Sequence, residues 1–294
     1  MRFGFSQILQ FVITGIASGG IYALIALGFT LIYTSTNIIN FAQGEFVVLG
    51  GLVAFSLLSL KILPLPVVFL VAVVIVTLVG VVFERLVIFP LKDASIISLI
   101  IATVGVSFFL KASAMIIWGR EALTFPHFFG EKPIKLLGAY LIPQYLFITI
   151  LTIGLVVLLQ LFFRSTALGK AMRATAINKT AAQLAGINTS RMVLYSFALS
   201  AALGAVAGIS TAPIAMMSYA SGAEFGIKGF AAAILGGIGN PLGAVLGGFV
   251  LGITESVGAG VISSGYKDAI ALIILLGALL LKPSGIFEKV GLKR

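Results

Sequence analysis

The sequence predicts an all-α polytopic membrane protein of about eight transmembrane helices, one of them broken. Two observations carry this. Of 294 residues 60% are hydrophobic and only 10% charged, with a mean hydropathy of +1.19, and the apolar residues gather into runs long enough to cross a bilayer. A water-facing surface needs a far larger charged share, whereas lipid needs almost none.

A crossing helix takes roughly 20 apolar residues, since about 30 Å of hydrocarbon is covered at about 1.5 Å per residue. The first run, 8–33, is too long for the apolar core of a signal peptide and has no convincing small-residue cleavage site, so it reads as a retained helix in a chain starting near Met1. Further runs follow at 46–60, which is short, and at 66–89, 95–118, 141–163 and 192–217. The run 227–260 is interrupted by Gly236-Gly-Ile-Gly-Asn-Pro241. Its first part, 227–238, covers about 18 Å and cannot cross alone. It reads as a half-helix, with a hairpin turn at the membrane edge as the alternative. The last run is 267–281. No block repeats at a fixed period and no linker divides the chain, so 1–294 reads as a single membrane domain. The 34 glycines recur at four-residue spacing in Gly204/Gly208, Gly239/Gly243, Gly243/Gly247 and Gly248/Gly252, which lets helix backbones approach closely.

Charge placement sets orientation. Residues 164–191 carry Arg164, Lys170, Arg173, Lys179 and Arg191 and no acid, so this loop is expected in the cytoplasm. The tail, with Lys282, Lys289, Lys293 and Arg294 against Glu288, is expected there too. The 119–140 loop has three basic and two acidic residues and fits the outside; counting helices back from 164 puts the N-terminus outside as well. The net charge of +10 therefore marks loops in a membrane protein rather than a nucleic-acid surface.

Catalytic chemistry is not expected. There is no Cys and one His, His127, which excludes thiolate sites and a two-His zinc site, so no metal and no catalytic residue is predicted. Nor is there a nucleotide site: Gly169-Lys170 is followed by Ala171, and the position of a phosphate loop's first glycine is Arg164. No cofactor is expected on this chain, and any ATP must be hydrolysed by a partner.

Two stretches stand out. The first, Thr34-Ser-Thr-Asn-Ile-Ile-Asn-Phe-Ala-Gln-Gly-Glu45, is polar between apolar runs and free of basic residues. If helical, it puts Asn37, Asn40, Gln43 and Gly44 on one face. Such neutral amides suit the passage of a polar or zwitterionic solute; equally, they serve as an interfacial cap and interhelical glue. Intramembrane charges are few: Lys111 can snorkel, Glu84 and Arg85 sit near a cytoplasmic end, and Glu45 and Glu255 read as isolated carboxylates without a paired base, weak support for an ion-coupled carrier. The second stretch is the basic loop, where Asn178 can N-cap a helix of about two turns and Gly186 can end it. So short a helix must be held by packing through Leu184 and Ile187, against another subunit or its own membrane domain.

With these residues in view, the chain resembles the permease subunits of bacterial and archaeal ABC importers for branched-chain amino acids, of the LivH type. The resemblance runs nearly end to end. It rests on Gly20-Ile-Tyr-Ala-Leu-Ile-Ala-Leu-Gly-Phe-Thr-Leu-Ile-Tyr33 leading to Asn40-Phe-Ala-Gln-Gly-Glu45, on Leu168-Gly-Lys-Ala-Met-Arg-Ala-Thr175 with Ala185-Gly-Ile-Asn188, on Leu235-Gly-Gly-Ile-Gly-Asn-Pro-Leu-Gly-Ala244, and on Lys282-Pro-Ser-Gly-Ile-Phe287. It implies an ABC importer permease bundle in a cell membrane, pairing with a second homologous permease, two cytoplasmic ATPases that hydrolyse ATP, and an extracytoplasmic substrate-binding protein. It makes 164–191 the coupling loop, with Gly169, Arg173, Asn178, Ala182, Gly186 and Ile187 as ATPase contacts or supports. The polar stretch and the Gly-Asn-Pro break, read from the residues themselves, make Asn37, Asn40, Gln43, Glu45, Gly239 and Asn240 the expected translocation-pathway residues. Where the family often has an acid before a basic residue in the coupling segment, this chain has Asn178 before Lys179. Relatives of this type also carry urea and short amides, and a secondary carrier or passive channel would need no ATPase.

Overall fold

A computed structural model describes residues 4–130, 132–136, 138–282 and 285–287. Among the described residues, seven helices are long and apolar enough to cross a membrane. In chain order the helices are α1 (Phe5–Thr36), α2 (Gln43–Ser59), α3 (Leu65–Phe83, continuing as a π-helical turn Glu84–Ile88), α4 (Ile96–Trp118), α5 (Pro143–Ser165), α6 (Ala167–Ile177), α7 (Lys179–Leu184), α8 (Thr189–Thr211), α9 (Ser221–Gly236), α10 (Pro241–Val261) and α11 (Lys267–Leu281). Between α4 and α5 a small antiparallel hairpin pairs β1 (Ile134–Leu136) with β2 (Ala139–Leu141).

Helix α1, 32 residues long, packs against α5, α8, α9 and α10 and forms the axis of the bundle. It and α8 are mostly buried, whereas the apolar faces of α3, α4, α5 and α11 are largely exposed. That distribution inverts a water-soluble core and fits lipid as the solvent. Glycines let the inner helices touch backbone to backbone: Gly15 and Gly19 of α1 meet Gly252 and Gly248 of α10, and Gly208 of α8 lies on the Val47 carbonyl of α2. Gly239 departs from the expected helical pairing with Gly243, since it sits in a turn at φ +92°.

The interrupted run forms two separate helices joined by the 237–240 turn, and the first of them, α9, has 16 residues and is not among the seven long spans. Gly236 lies against Gly243 and Ala232 against Gly247, so α9 and α10 run antiparallel around 237–240. Helix α9 also begins six residues earlier than hydropathy indicated. The glycines that lower helix propensity there, Gly222 and Gly226, face Gly44 of α2, and this contact outweighs the local cost.

The two ends of the bundle are distinct. At one end the Gln10 side chain exchanges hydrogen bonds with the Tyr140 backbone at 2.8 and 2.7 Å, and Leu123 bridges Met217. At the other end the 237–240 turn meets Tyr33 and Thr34, and α6 and α7 follow the end of α5. The start of α1 and the described part of the 119–140 loop thus share the end opposite the basic loop.

Candidate translocation and coupling sites

The polar stretch 34–45 is not one helix, so its amides do not share one face. Helix α1 ends at Thr36, Asn37 adopts the left-handed conformation at φ 57°, and residues 38–42 are irregular until α2 starts at Gln43. Asn37 is exposed, whereas Asn40, Gln43 and Glu45 are buried. Asn40 folds its Oδ1 onto the Ala42 backbone N–H at 3.1 Å, and its Nδ2 is buried without a hydrogen-bond partner. Gln43 is the junction of three helices: its Nε2 donates to the Ser200 carbonyl at 3.2 Å, the Ser200 hydroxyl donates to its Oε1 at 2.5 Å, and that hydroxyl also lies 2.9 Å from the Gly28 carbonyl. This is the interhelical role that was the alternative for these amides. Glu45 accepts from the Ser107 hydroxyl of α4 at 3.1 Å and lies on Gly222 at the start of α9. Gly239 and Asn240 stand apart from these groups, at the far end of α9. Asn240 Nδ2 donates to the Phe287 carbonyl at 2.9 Å, and Ile286 N–H donates to Leu235 at 2.8 Å. Two of the motif segments, 235–244 and 282–287, therefore touch.

Glu255 is not isolated. It is fully buried on α10 and lies 3.0 Å from Lys228 Nζ of α9, which also meets Glu224 at 2.6 Å and Asp268 of α11 at 2.7 Å. Sequence reading missed this cluster because Lys228 falls inside an apolar run. The one local signal was Glu224 four residues ahead of Lys228, the favourable helical spacing.

The basic loop folds as two helices, of which only the second was foreseen. The α6 N-cap is Thr166, which accepts from Gly169 N–H at 3.0 Å, and Gly169 itself lies on the Phe162 backbone of α5. Asn178 caps α7 by accepting from Ala181 N–H at 2.9 Å. Gly186 at φ +81° ends it, with Gly186 and Ile187 N–H donating back to Gln183 and Ala182, the glycine-terminated pattern expected. Ala182 faces inward, Ile187 is half-buried, and Leu184 is not a packing contact within the chain: it is 86% exposed and Ile177 82%. Asn178→Ala is expected to weaken α7 by about 1 kcal/mol, seen as faster amide hydrogen exchange over 179–184 with α8 unchanged.

Arg173 and Arg164 both line a cavity of about 520 Å³ between α1, α5, α6 and the 237–240 turn. Both arginines are exposed as well as bordering this cavity.

A glycine-packed bundle with seven long apolar helices and lipid-compatible outer faces defines an integral membrane protein. Its particular kind comes from comparison with known proteins. Residues 11–279 match the family described as branched-chain amino acid transport system / permease component, and the chain belongs to that family. Relatives include the high-affinity branched-chain amino acid transport system permease proteins BraD of Pseudomonas aeruginosa, 33% identical over 96% of both chains, and LivH of Escherichia coli, 32% identical over 97% of both. A probable branched-chain amino acid transport permease protein LivH of the archaeon Methanocaldococcus jannaschii is 32% identical over 90% of this chain and 87% of its own.

Proposed function

We propose that this chain is the membrane-spanning subunit of an ATP-driven importer for branched-chain amino acids. Residues 1–294 act as one permease unit in a bacterial or archaeal plasma membrane, beside a second homologous permease, with two ATPases at the cytoplasmic end and a substrate-binding protein outside. The observation that carries the coupling role is the pair of exposed aliphatic side chains, Ile177 and Leu184, on two short capped helices at the basic end of the bundle. A six-residue helix is marginal by itself, so caps at both ends and an apolar outer face point to a partner surface. That end, with the C-terminus, is the cytoplasmic one, in line with its acid-free basic loop. The ATPase meets α7, with Asn178, Ala182, Gly186 and Ile187 holding its shape, while Gly169 and Arg173 support it from α6. Closing of the ATPases shifts α6 and α7 and switches the bundle between two states.

The pathway runs by the irregular segment 37–42 and Glu45, with Asn37, Gly239 and Asn240 at its cytoplasmic rim and Gln43 holding its wall. Non-helical backbone at membrane depth is tolerated only where protein buries it or water reaches it, and the unpartnered Asn40 amide fits a segment whose partner arrives with solute. The test is reconstitution. ATP-dependent leucine uptake should appear only with the ATPases and binding protein present, and Leu184→Asp should abolish uptake and ATPase co-purification while the chain still inserts. Uptake by this chain alone on a proton or sodium gradient overturns the assignment; uptake of urea or short amides in place of leucine overturns the substrate.

A further inference from the structure

We infer that the 520 Å³ cavity between α1 and α5 is a binding site for one anionic phospholipid of the leaflet at the basic end. Its lining is graded along the membrane normal. On α1 it runs from Leu27 to Ser35, and on α5 from Val156 to Arg164, eight residues or about 12 Å on each helix. Both walls pass from aliphatic side chains at depth to polar ones at the helix end, the same gradient that a phospholipid has from acyl chain to headgroup. At the polar end stand two guanidiniums, Arg164 and Arg173, and among the described residues neither has an ion pair. Among the described residues no acid lines the cavity. A zwitterionic amino acid would leave its ammonium unmatched there, whereas a phosphodiester accepts from two forked donors and brings no cation that the cavity must match. On the α5 wall of the cavity Gln160 and Arg164 are exposed, so the site is open along that wall and a lipid enters there from the bilayer. Basic pockets between membrane helices recognise lipid headgroups in this way.

The test is lipid retention by the purified full-length chain in micelles containing equal amounts of phosphatidylglycerol and phosphatidylcholine, read by native mass spectrometry. Phosphatidylglycerol should be retained in excess, the excess should fall roughly tenfold in the Arg164→Gln, Arg173→Gln double variant, and Lys170→Gln with Lys179→Gln, outside the cavity lining, should leave it in place. As a second reading that tolerates a weak double variant, tryptophan introduced by Val156→Trp should be quenched by brominated phosphatidylglycerol and not by brominated phosphatidylcholine. Equal retention of the two lipids, an undiminished excess in the double variant, or displacement of the lipid by millimolar leucine overturns the inference.

Discussion

Lys228→Met is expected to destabilise the protein by about 3–5 kcal/mol, because it leaves Glu255 as an uncompensated carboxylate buried between helices. The converse change is milder. In Glu255→Gln the lysine keeps Glu224 at 2.6 Å and Asp268 at 2.7 Å, and those two acids are half or more exposed, so water assists in stabilising them. Glu255 has no such recourse: the only ion-pair partner it has among the described residues is Lys228. The double variant Lys228→Met, Glu255→Leu should therefore recover most of what Lys228→Met loses, since a matched apolar pair restores what burial of a single charge removed. Thermal unfolding in detergent checks the order, wild type above Glu255→Gln above Lys228→Met, with the double variant well above the last. Equal losses for the two single variants would mean that the cluster contributes through packing alone.

This cluster also marks the boundary of what the chain reveals without its fold. The long spans were legible because lipid imposes a length and a composition on every crossing helix, and those constraints are local. The α7 caps were legible for the same reason: Asn178 and Gly186 act on backbone groups three to five residues away. Lys228 was not, because its partners Glu255 and Asp268 lie 27 and 40 residues further along the chain, and only the antiparallel return of α10 and the approach of α11 bring them together. The polar stretch failed similarly. Its residues were the right ones to notice, yet a helical face cannot be read from spacing when Asn37 turns left-handed and the next five residues leave the helix. The start of α9 was obscured by glycines whose cost is local and whose benefit, contact with Gly44, is tertiary. In the candidate site the residue types were therefore visible, and their grouping was not.

Gly252→Val should abolish the folded state, or reduce it to a small fraction, through a contact that hydropathy does not register. A side chain on Gly252 meets the backbone of Gly19 and Gly15 in α1, and one on Gly248 meets the backbone of Ala23. Both obstacles are main chain, so relief requires α10 to move away from the axial helix along its length. In lipid the loss is not offset by a new hydrophobic gain, because the separated faces find acyl chains as apolar as themselves; association rests on close van der Waals packing. Overpacking a well-packed core costs typically 1–3 kcal/mol, and a backbone-to-backbone seam with two such points belongs at or above the top of that range. The control lies in the same protein. Gly105, Gly154 and Gly277 are helical and would meet nothing within 4 Å on gaining a methyl group, so alanine there should be neutral or stabilising by about 0.5–1 kcal/mol. Folded yield by size-exclusion chromatography and melting temperature separate the two sets. Should Gly252→Val behave like Gly154→Ala, α1 and α10 would not be joined at this seam, and the axial role of α1 would fall with it.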